Sequence, residues 1–275
     1  MDALKKTAIE QIVDSNIKTF ASTLSEKHIS QVNNPNGIIN SKRKNVFIDA
    51  LESEEFKFYS AFVRSFDSAF GKVLENMGNA IAKLTFETTN EINSYLLPAQ
   101  ESKIAELKNW YSTDAENRIM PNTNHYDNFT CIVPNNLASY RRRHATDHCF
   151  YNREKNEYYI MELKAGCDLD KTKASSQKED LLVEYFMLKN KLNEENKNIP
   201  IKLYMCVGYN KDGEGNYWKQ ANVRNNFADN ELIIGRDYWN FVCNDPDGFN
   251  VVINQYRISS HHISEAIQSI REAYN

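Results

Sequence analysis

One short run of the sequence places an acid and a base two residues apart in a segment that favours a β-strand. Glu162, Leu163 and Lys164 follow the tyrosine- and isoleucine-containing residues 158–161. Side chains two apart on a strand share a face, so Glu162 and Lys164 are predicted to project together, with Leu163 turned into packing on the other side. The same acid-x-lysine spacing recurs elsewhere, but in helical or polar segments, where the two side chains point about 200° apart.

A predicted hairpin brings a second carboxylate to the same place. Residues 145–165 are expected to form two strands joined by a polar turn at 152–156. If the turn is centred between residues 154 and 155, Asp147 stands opposite Glu162, with Cβ atoms roughly 4.5–5.5 Å apart. Two such carboxylates can close on one hard cation, whereas a slip of one residue would put them on opposite faces. The alternative interpretation is an ordinary Glu–Lys pair on a half-exposed strand.

Basic residues flank this acidic pair on both sides. Two acids that bind a metal ion, with basic residues on both sides, are the arrangement expected for a polyanionic substrate that is held next to the cation. Arginine can pair with guanine or contact phosphate, but a triplet of basic residues is also common on solvated loops. The basic residues expected to bind nucleic acid are Arg141, Arg142, Arg143, Lys171, Lys173 and Lys178.

The hydrophobic pattern predicts an α/β protein with a central mixed β-sheet flanked by helices. Apolar residues recur at helical spacing through most of residues 1–120. The pattern then changes to the hairpin, an amphipathic helix at about 172–192 and a mostly buried strand at 201–207. This order predicts a crossover helix that returns the chain parallel to the second strand of the hairpin.

The end of the chain predicts two more short strands and a last helix. The strands are expected near 232–234 and 251–256, and the helix from about Ser259. The expected organisation is a mainly helical region over 1–130 and an α/β core over 131–275, packed together as one compact unit.

Composition narrows the class of protein. The chain has 275 residues, 41% of them hydrophobic, which excludes a mostly disordered protein. Its net charge of −4 is too acidic for a protein that coats DNA non-specifically. It has no apolar run of the roughly 18 residues that span a bilayer and no apolar signal-peptide core. Its five cysteines form no CxxC pair, so we expect reduced thiols and a cytosolic location.

The order of these residues resembles a known superfamily of nucleases. Asp147, then fourteen intervening residues, then Glu162-Leu163-Lys164 at a strand end and a following helix is similar to the PD-(D/E)XK pattern. Residues 141–188 also resemble type II restriction endonucleases, in particular the group that cuts GGNCC. Thr146 stands where the name of the motif has proline, a position that varies widely in the superfamily.

The resemblance implies a role for each residue of the pattern. Asp147 and Glu162 would ligate Mg²⁺, with the Leu163 carbonyl as a third ligand. Lys164 would orient the attacking water and help to deprotonate it, and the product would carry a 5′-phosphate. Such enzymes often add a glutamate from the helix before the sheet; Glu75 resembles that residue, although it equally fits the polar face of a helix.

The expected function is therefore that of a type II restriction endonuclease with a restriction-endonuclease-like core. It would cut double-stranded DNA at a short symmetric site, which implies a homodimer because one active site cuts one strand. Three alternatives remain at this point. They are a nuclease of the same fold that acts in repair or at junctions, a non-catalytic DNA-binding protein, and a metal-dependent phosphohydrolase of small nucleotides.

Overall fold

The computed structural model describes residues 1–32, 34, 50, 54–113, 116–166 and 168–274. Eight α-helices and five strands lie within these ranges. In chain order they are α1 (Ala3–Val32), α2 (Glu54–Ala82), β1 (Glu87–Tyr95), α3 (Pro98–Ser112), α4 (Asn124–Asp127), β2 (Arg141–Asn152), β3 (Glu157–Lys164), α5 (Lys171–Glu194), β4 (Ile201–Val207), α6 (Ala221–Arg224), β5 (Leu232–Ile234), α7 (Arg236–Cys243) and α8 (Gly248–Tyr274).

The chain divides into two compact units. Residues 1–81 and 245–275 form a helical unit, and residues 82–244 form a unit around the β-sheet. This division differs from the expected boundary near residue 130, because β1 and α3 belong to the sheet unit and the last helix belongs to the helical unit.

The helical unit contains α1, α2 and α8. Phe62, Phe66 and Phe70 recur every four residues on α2 and so form one stripe. They pack on a cluster that includes Phe20 of α1 and Ile270 of α8. This apolar contact holds the three helices together.

The sheet unit contains a five-stranded mixed sheet in the order β1-β2-β3-β4-β5. The pairs β1–β2 and β2–β3 are antiparallel, whereas β3–β4 and β4–β5 are parallel. Helix α5 is the crossover between β3 and β4, and Leu181 and Phe186 of this helix pack in one core with Ile160 of β3 and Leu203 of β4. The predicted α/β class and the mixed sheet are confirmed.

The register of the β2–β3 hairpin is the one predicted from the turn. His148 pairs with Met161 and Asn152 pairs with Glu157. The turn ends at Asn156, whose positive φ of 51° is more readily adopted by asparagine than by most residues. Turn and register therefore agree.

Pairing between β1 and β2 is irregular next to this hairpin. Thr89 pairs with Cys149, but Glu91 pairs with Ala145. More residues of β2 than of β1 lie between these two pairs, so β2 bulges over residues 146–148. Such irregularities re-aim side chains and are common beside active sites.

Two predictions about secondary structure are wrong. Strand β1 was not expected, because Thr88, Thr89 and Asn90 give it little apolar alternation; its pairing with β2 defines it. The strand expected at 251–256 is instead part of α8, which begins at Gly248 rather than near Ser259. Its Val-Val-Ile run favours strands, but burial of Val251 and Val252 in the helix overrides that preference.

The cysteines that the structure describes form no disulfide bond with one another. They are Cys131, Cys149, Cys206 and Cys243, while Cys167 lies outside the described residues. None of the described helices combines the length and apolar character that crossing a bilayer requires.

Candidate active site

Asp147 and Glu162 lie at neighbouring positions on the two strands of the hairpin. The last recorded pair is His148 with Met161. Asp147 precedes His148 and Glu162 follows Met161, so continuing the register by one pair sets the two acids opposite each other. Their charges interact: Asp147 is among the groups that raise the pKa of Glu162.

Glu162 is a partly buried acid whose pKa is raised. Burial is the main cause that raises its pKa to about 7, and Asp147 adds to this effect. Lys164 acts in the opposite direction, because its Nζ donates a hydrogen bond to Glu162 Oε1 and its charge favours the carboxylate. The two residues therefore share one face of β3, as the strand periodicity predicts.

Leu163 points away from this face, and the end of the strand is fixed by its neighbours. The Leu163 side chain is buried. On the next strand, the Gly208 N–H donates to the Lys164 carbonyl at 2.9 Å, and the Tyr209 N–H donates to the Ala165 carbonyl at 3.1 Å. The acid-x-lysine segment is thus held at the carboxyl end of a parallel strand pair, an edge where ligand sites of α/β sheets are often found.

Helix α5 adds two acids that the sequence analysis did not single out. Glu184 is only 3% exposed, and its Oε1 lies 3.4 Å from His144 Nε2. Its pKa is raised, mainly by burial and further by Asp147. Asp180 lies one turn earlier on the helix, and Lys164 and His144 both act on its pKa.

The sequence contained a signal for Glu184. It lies between Leu181 and Leu188, at the spacing of the apolar face of α5, and both leucines are buried. A charged residue at such a position needs a partner or a function, because burying a lone charge is costly.

Glu75, the predicted further acid, belongs to the helical unit. It lies on α2, where its carboxylate accepts a hydrogen bond from Lys72. Asp147, Glu162 and Lys164 belong to the other unit, so a catalytic role for Glu75 stays a prediction.

The donor set around Asp147 suits a hard divalent cation. Asp147 and Glu162 offer carboxylate oxygens, the ligands that Mg²⁺ prefers. Glu184 Oε2 is buried and makes no regular hydrogen bond to the described residues. This oxygen is therefore able to accept a hydrogen bond from a ligand. The described residues contain no group of three or more His, Cys, Asp or Glu side chains placed to hold one ion. An ion here would therefore depend on the two hairpin acids and on non-carboxylate ligands.

Comparison with known families identifies the chain. The family model described as "Type II restriction endonuclease, HinfI" matches residues 5–260. The chain belongs to this family. Comparisons with curated proteins and with solved structures found no match.

Membership of the HinfI family confirms the predicted function. The family is that of a type II site-specific deoxyribonuclease, so this chain is a type II restriction endonuclease that acts on DNA. The match gives no recognition sequence, and the resemblance to the GGNCC-cutting group stays a prediction.

The arginine triplet of this HinfI-family chain lies on the surface in ion pairs. All three side chains are at least 39% exposed. Exposed ion pairs contribute little stability, so they can exchange for phosphate contacts at small cost. The pairs are Arg141 with Glu194, Arg142 with Glu101 and Arg143 with Glu91.

The three lysines predicted to bind DNA lie in different environments. Lys171 and Lys173 are exposed in the first turn of α5. Lys178 is 2% exposed, and its Nζ donates at 2.5 Å to Glu231, which is 1% exposed. The expectation that Lys178 is solvated or contacts phosphate is therefore corrected: it lies on the buried face of α5 and forms an internal ion pair.

Proposed function

We propose that this restriction endonuclease hydrolyses DNA at Asp147, Glu162 and Lys164, with Mg²⁺ as cofactor. The observation that supports the proposal is that Asp147 and Glu162 lie one position beyond the last β2–β3 pair and interact electrostatically, with Lys164 hydrogen-bonded to Glu162. Enzymes of this class generally use a divalent metal ion.

Asp147 and Glu162 would hold the cation, with the Leu163 carbonyl as a further ligand. When bound, the cation lowers the pKa of a water molecule and offsets negative charge at the phosphate. Its positive charge also favours the ionised form of Glu162, which the metal-free protein disfavours. The chain thus supplies two carboxylates that repel each other until a cation is present.

Lys164 positions and activates the attacking water. Its ammonium group is anchored by Glu162 Oε1, which fixes it beside the proposed cation position. In-line attack of water on phosphorus breaks the bond to the 3′-oxygen and leaves a 5′-phosphate and a 3′-hydroxyl. Arg141, Arg142, Arg143, Lys171 and Lys173 would hold the phosphate backbone.

A homodimer would let one enzyme cut both strands of a symmetric site. Support comes from helix α2, where Phe56, Tyr59 and Val63 are 49%, 45% and 53% exposed. Their spacing of three to four residues sets them on one side of the helix. Apolar residues grouped in this way are typical of protein–protein contacts. Because the substrate is DNA, we place the enzyme in the cytoplasm of a prokaryotic cell.

Digestion of a fully sequenced plasmid tests this proposal. The wild-type protein with Mg²⁺ is expected to give discrete fragments whose ends map to one short symmetric sequence, and excess EDTA is expected to stop cleavage. The ends should ligate without prior phosphorylation, because they carry 5′-phosphates. A GGNCC map would support the predicted group. Smears, or cutting only at branched DNA, would favour a repair or junction nuclease instead.

A further inference from the structure

Glu184 is a buried carboxylate that the proposed mechanism has not yet used. Its side chain is 3% exposed on the sheet-facing side of α5, and its Oε2 makes no regular hydrogen bond to any described residue. Its Oε1 lies 3.4 Å from His144 Nε2. One oxygen is therefore partnered, and the other lacks a regular hydrogen bond.

A second polar atom beside Glu184 also lacks a regular hydrogen bond. Thr146 is 7% exposed, and its hydroxyl is buried without a regular hydrogen bond to the described residues. This hydroxyl interacts with the Glu184 carboxyl as a weak hydrogen-bond donor and lowers its pKa, but the contact lies outside the geometry of a regular hydrogen bond. Two incompletely satisfied polar groups, one from β2 and one from α5, thus lie side by side near Asp147.

Keeping Glu184 ionised in this place is unfavourable in the absence of a ligand. The carboxyl is removed from water, and Asp147 and Glu162 both interact with it repulsively. His144 offsets part of this cost, whereas Lys164 donates its hydrogen bond to Glu162. A leucine would satisfy the same helical position at no electrostatic cost. The arrangement becomes favourable when a positive charge and hydrogen-bond donors are added between the three acids.

A hydrated cation supplies both the positive charge and the hydrogen-bond donors, because its water ligands donate hydrogen bonds. The described residues hold no three acidic or histidine side chains close enough to share one ion directly. Mg²⁺ usually keeps several water ligands, and these donate strong hydrogen bonds to outer carboxylates.

We propose that Glu184 is a positioning residue for the divalent cation, accepting through Oε2 a hydrogen bond from a water ligand of the ion held by Asp147 and Glu162. His144 fixes the other carboxylate oxygen, and the Thr146 hydroxyl donates to or accepts from the same hydration shell. The bulge over residues 146–148 allows this arrangement, because His144, Thr146 and Asp147 all interact with Glu184 on α5 despite their spacing on β2. This inference rests on the proposed cation site.

Direct measurement of Mn²⁺ binding tests the inference without reference to cleavage. Free Mn²⁺ is followed by electron paramagnetic resonance during titration of the full-length protein at pH 8. Glu184→Gln keeps the shape of the side chain and is expected to weaken Mn²⁺ binding about 10- to 100-fold. The matched control is Glu179→Gln on the same helix, whose carboxylate pairs with Lys108; its Mn²⁺ affinity should equal that of the wild type.

Asp147→Asn separates failure of this inference from failure of the site. If Asp147→Asn loses Mn²⁺ binding and Glu184→Gln binds as the wild type does, the role of Glu184 is overturned and the site stands. If Asp147→Asn also binds normally, the cation site itself is wrong. An equal loss in Glu179→Gln would mean that only overall charge matters, which also overturns the role of Glu184.

Folding of the variants is checked by the thermal midpoint in EDTA. Removing a repelled buried charge should leave the midpoint of Glu184→Gln unchanged or higher. His144→Asn provides a second route, because it keeps Glu184 but removes the partner of Oε1. A Mn²⁺ affinity of His144→Asn between that of the wild type and that of Glu184→Gln supports the inference. Wild-type affinity in both His144→Asn and a folded Glu184→Gln contradicts it.

Discussion

Asp147 acts electrostatically on Glu162 across the β2–β3 hairpin and raises its pKa. The two acids lie one position beyond the pair formed by His148 and Met161. Burial and this repulsion both favour the protonated form of Glu162, and Lys164 offsets only part of their effect, so ionised Glu162 is electrostatically unfavourable without a metal cation. Binding of a cation offsets this cost, so the stability of the protein, its pH response and its catalysis should be linked.

The first prediction concerns stability against pH without metal. The pKa of Glu162 is raised from 4.5 in a model peptide to about 7 in the fold. A raised pKa gives a contribution to stability that is fully present below the unfolded value and is lost as pH rises through the folded value. The free energy of unfolding in EDTA should therefore fall between about pH 4.5 and pH 7, and Glu162→Gln should reduce this fall.

Glu157 provides the control for that measurement. It lies on the same strand, but the hydrogen bond from Tyr159 is the main cause that lowers its pKa. Its contribution is present above the unfolded value and is lost only as pH falls below it. In urea titrations, Glu157→Gln should therefore leave the slope between pH 4.5 and pH 7 as in the wild type. An unchanged slope in Glu162→Gln would contradict the assignment.

The second prediction concerns Lys164. Lys164→Met removes the ammonium group but keeps most of the apolar stem, so DNA affinity should change little. The cleavage rate should fall at least about 100-fold, because several kcal/mol of transition-state stabilisation is lost. The measurement is the single-turnover cleavage rate alongside a gel-shift affinity. Lys202→Met is the matched control, because Lys202 lies on β4 and pairs with Glu157 away from the site; a similar rate loss in this control would argue against a specific role.

The third prediction concerns DNA contacts by the arginine triplet. Each arginine that contacts a phosphate contributes about one to the slope of log affinity against log salt. Arg143→Ala should weaken binding at low salt and reduce that slope by about one. Arg153→Ala is the control, since Arg153 is also exposed and ion-paired, with Glu87, but lies at the turn of the hairpin. Equal slopes for the wild type and Arg143→Ala would place Arg143 outside the DNA contact.

The fourth prediction concerns the buried pair of Lys178 and Glu231. Glu231 also accepts hydrogen bonds from the Tyr126 hydroxyl and the Ala228 N–H, both at 2.7 Å. Glu231→Ala would leave a buried ammonium uncompensated and should destabilise the sheet unit by about 3–5 kcal/mol. All three tryptophans lie in that unit, so their fluorescence during urea unfolding reports on it selectively.

Two further variants test the cause of that loss. Asp229→Ala removes a neighbouring carboxylate that is 90% exposed and should cost less than about 1 kcal/mol. The double change Lys178→Met with Glu231→Leu should recover much of the stability lost in Glu231→Ala, because no buried charge remains unpaired. A double variant as unstable as Glu231→Ala would show that packing, and not the lone charge, causes the loss.

The sequence predicted those parts of the site that depend on local periodicity. Alternation along β3 set Glu162 and Lys164 on one face, and a short polar turn fixed the hairpin register. It did not predict β1, whose polar residues form a strand only because β2 offers a partner. The burial of Lys178 was also missed, although residues 174, 178, 181 and 185 follow one buried helical face. Lysine is rarely buried without a paired acid, and the acid that pairs with it, Glu231, is distant in the chain.

The role of Glu184 depends on tertiary structure in the same way. Its partners, His144 and Thr146, lie on a strand that bulges relative to β1. In a regular strand, residues three apart such as His144 and Asp147 point to opposite faces. No periodic pattern predicts that both would interact with one carboxyl group on α5.

The most direct test of the central claim is the single-turnover cleavage rate of a duplex that contains the mapped recognition site. Wild type, Asp147→Asn and, as a control, Asp229→Asn are compared at saturating Mg²⁺ and equal occupancy of the DNA. Loss of a cation ligand should lower the rate of Asp147→Asn at least about 100- to 1,000-fold, with Asp229→Asn close to the wild type. Cleavage by folded Asp147→Asn within a few-fold of the wild-type rate would contradict the account.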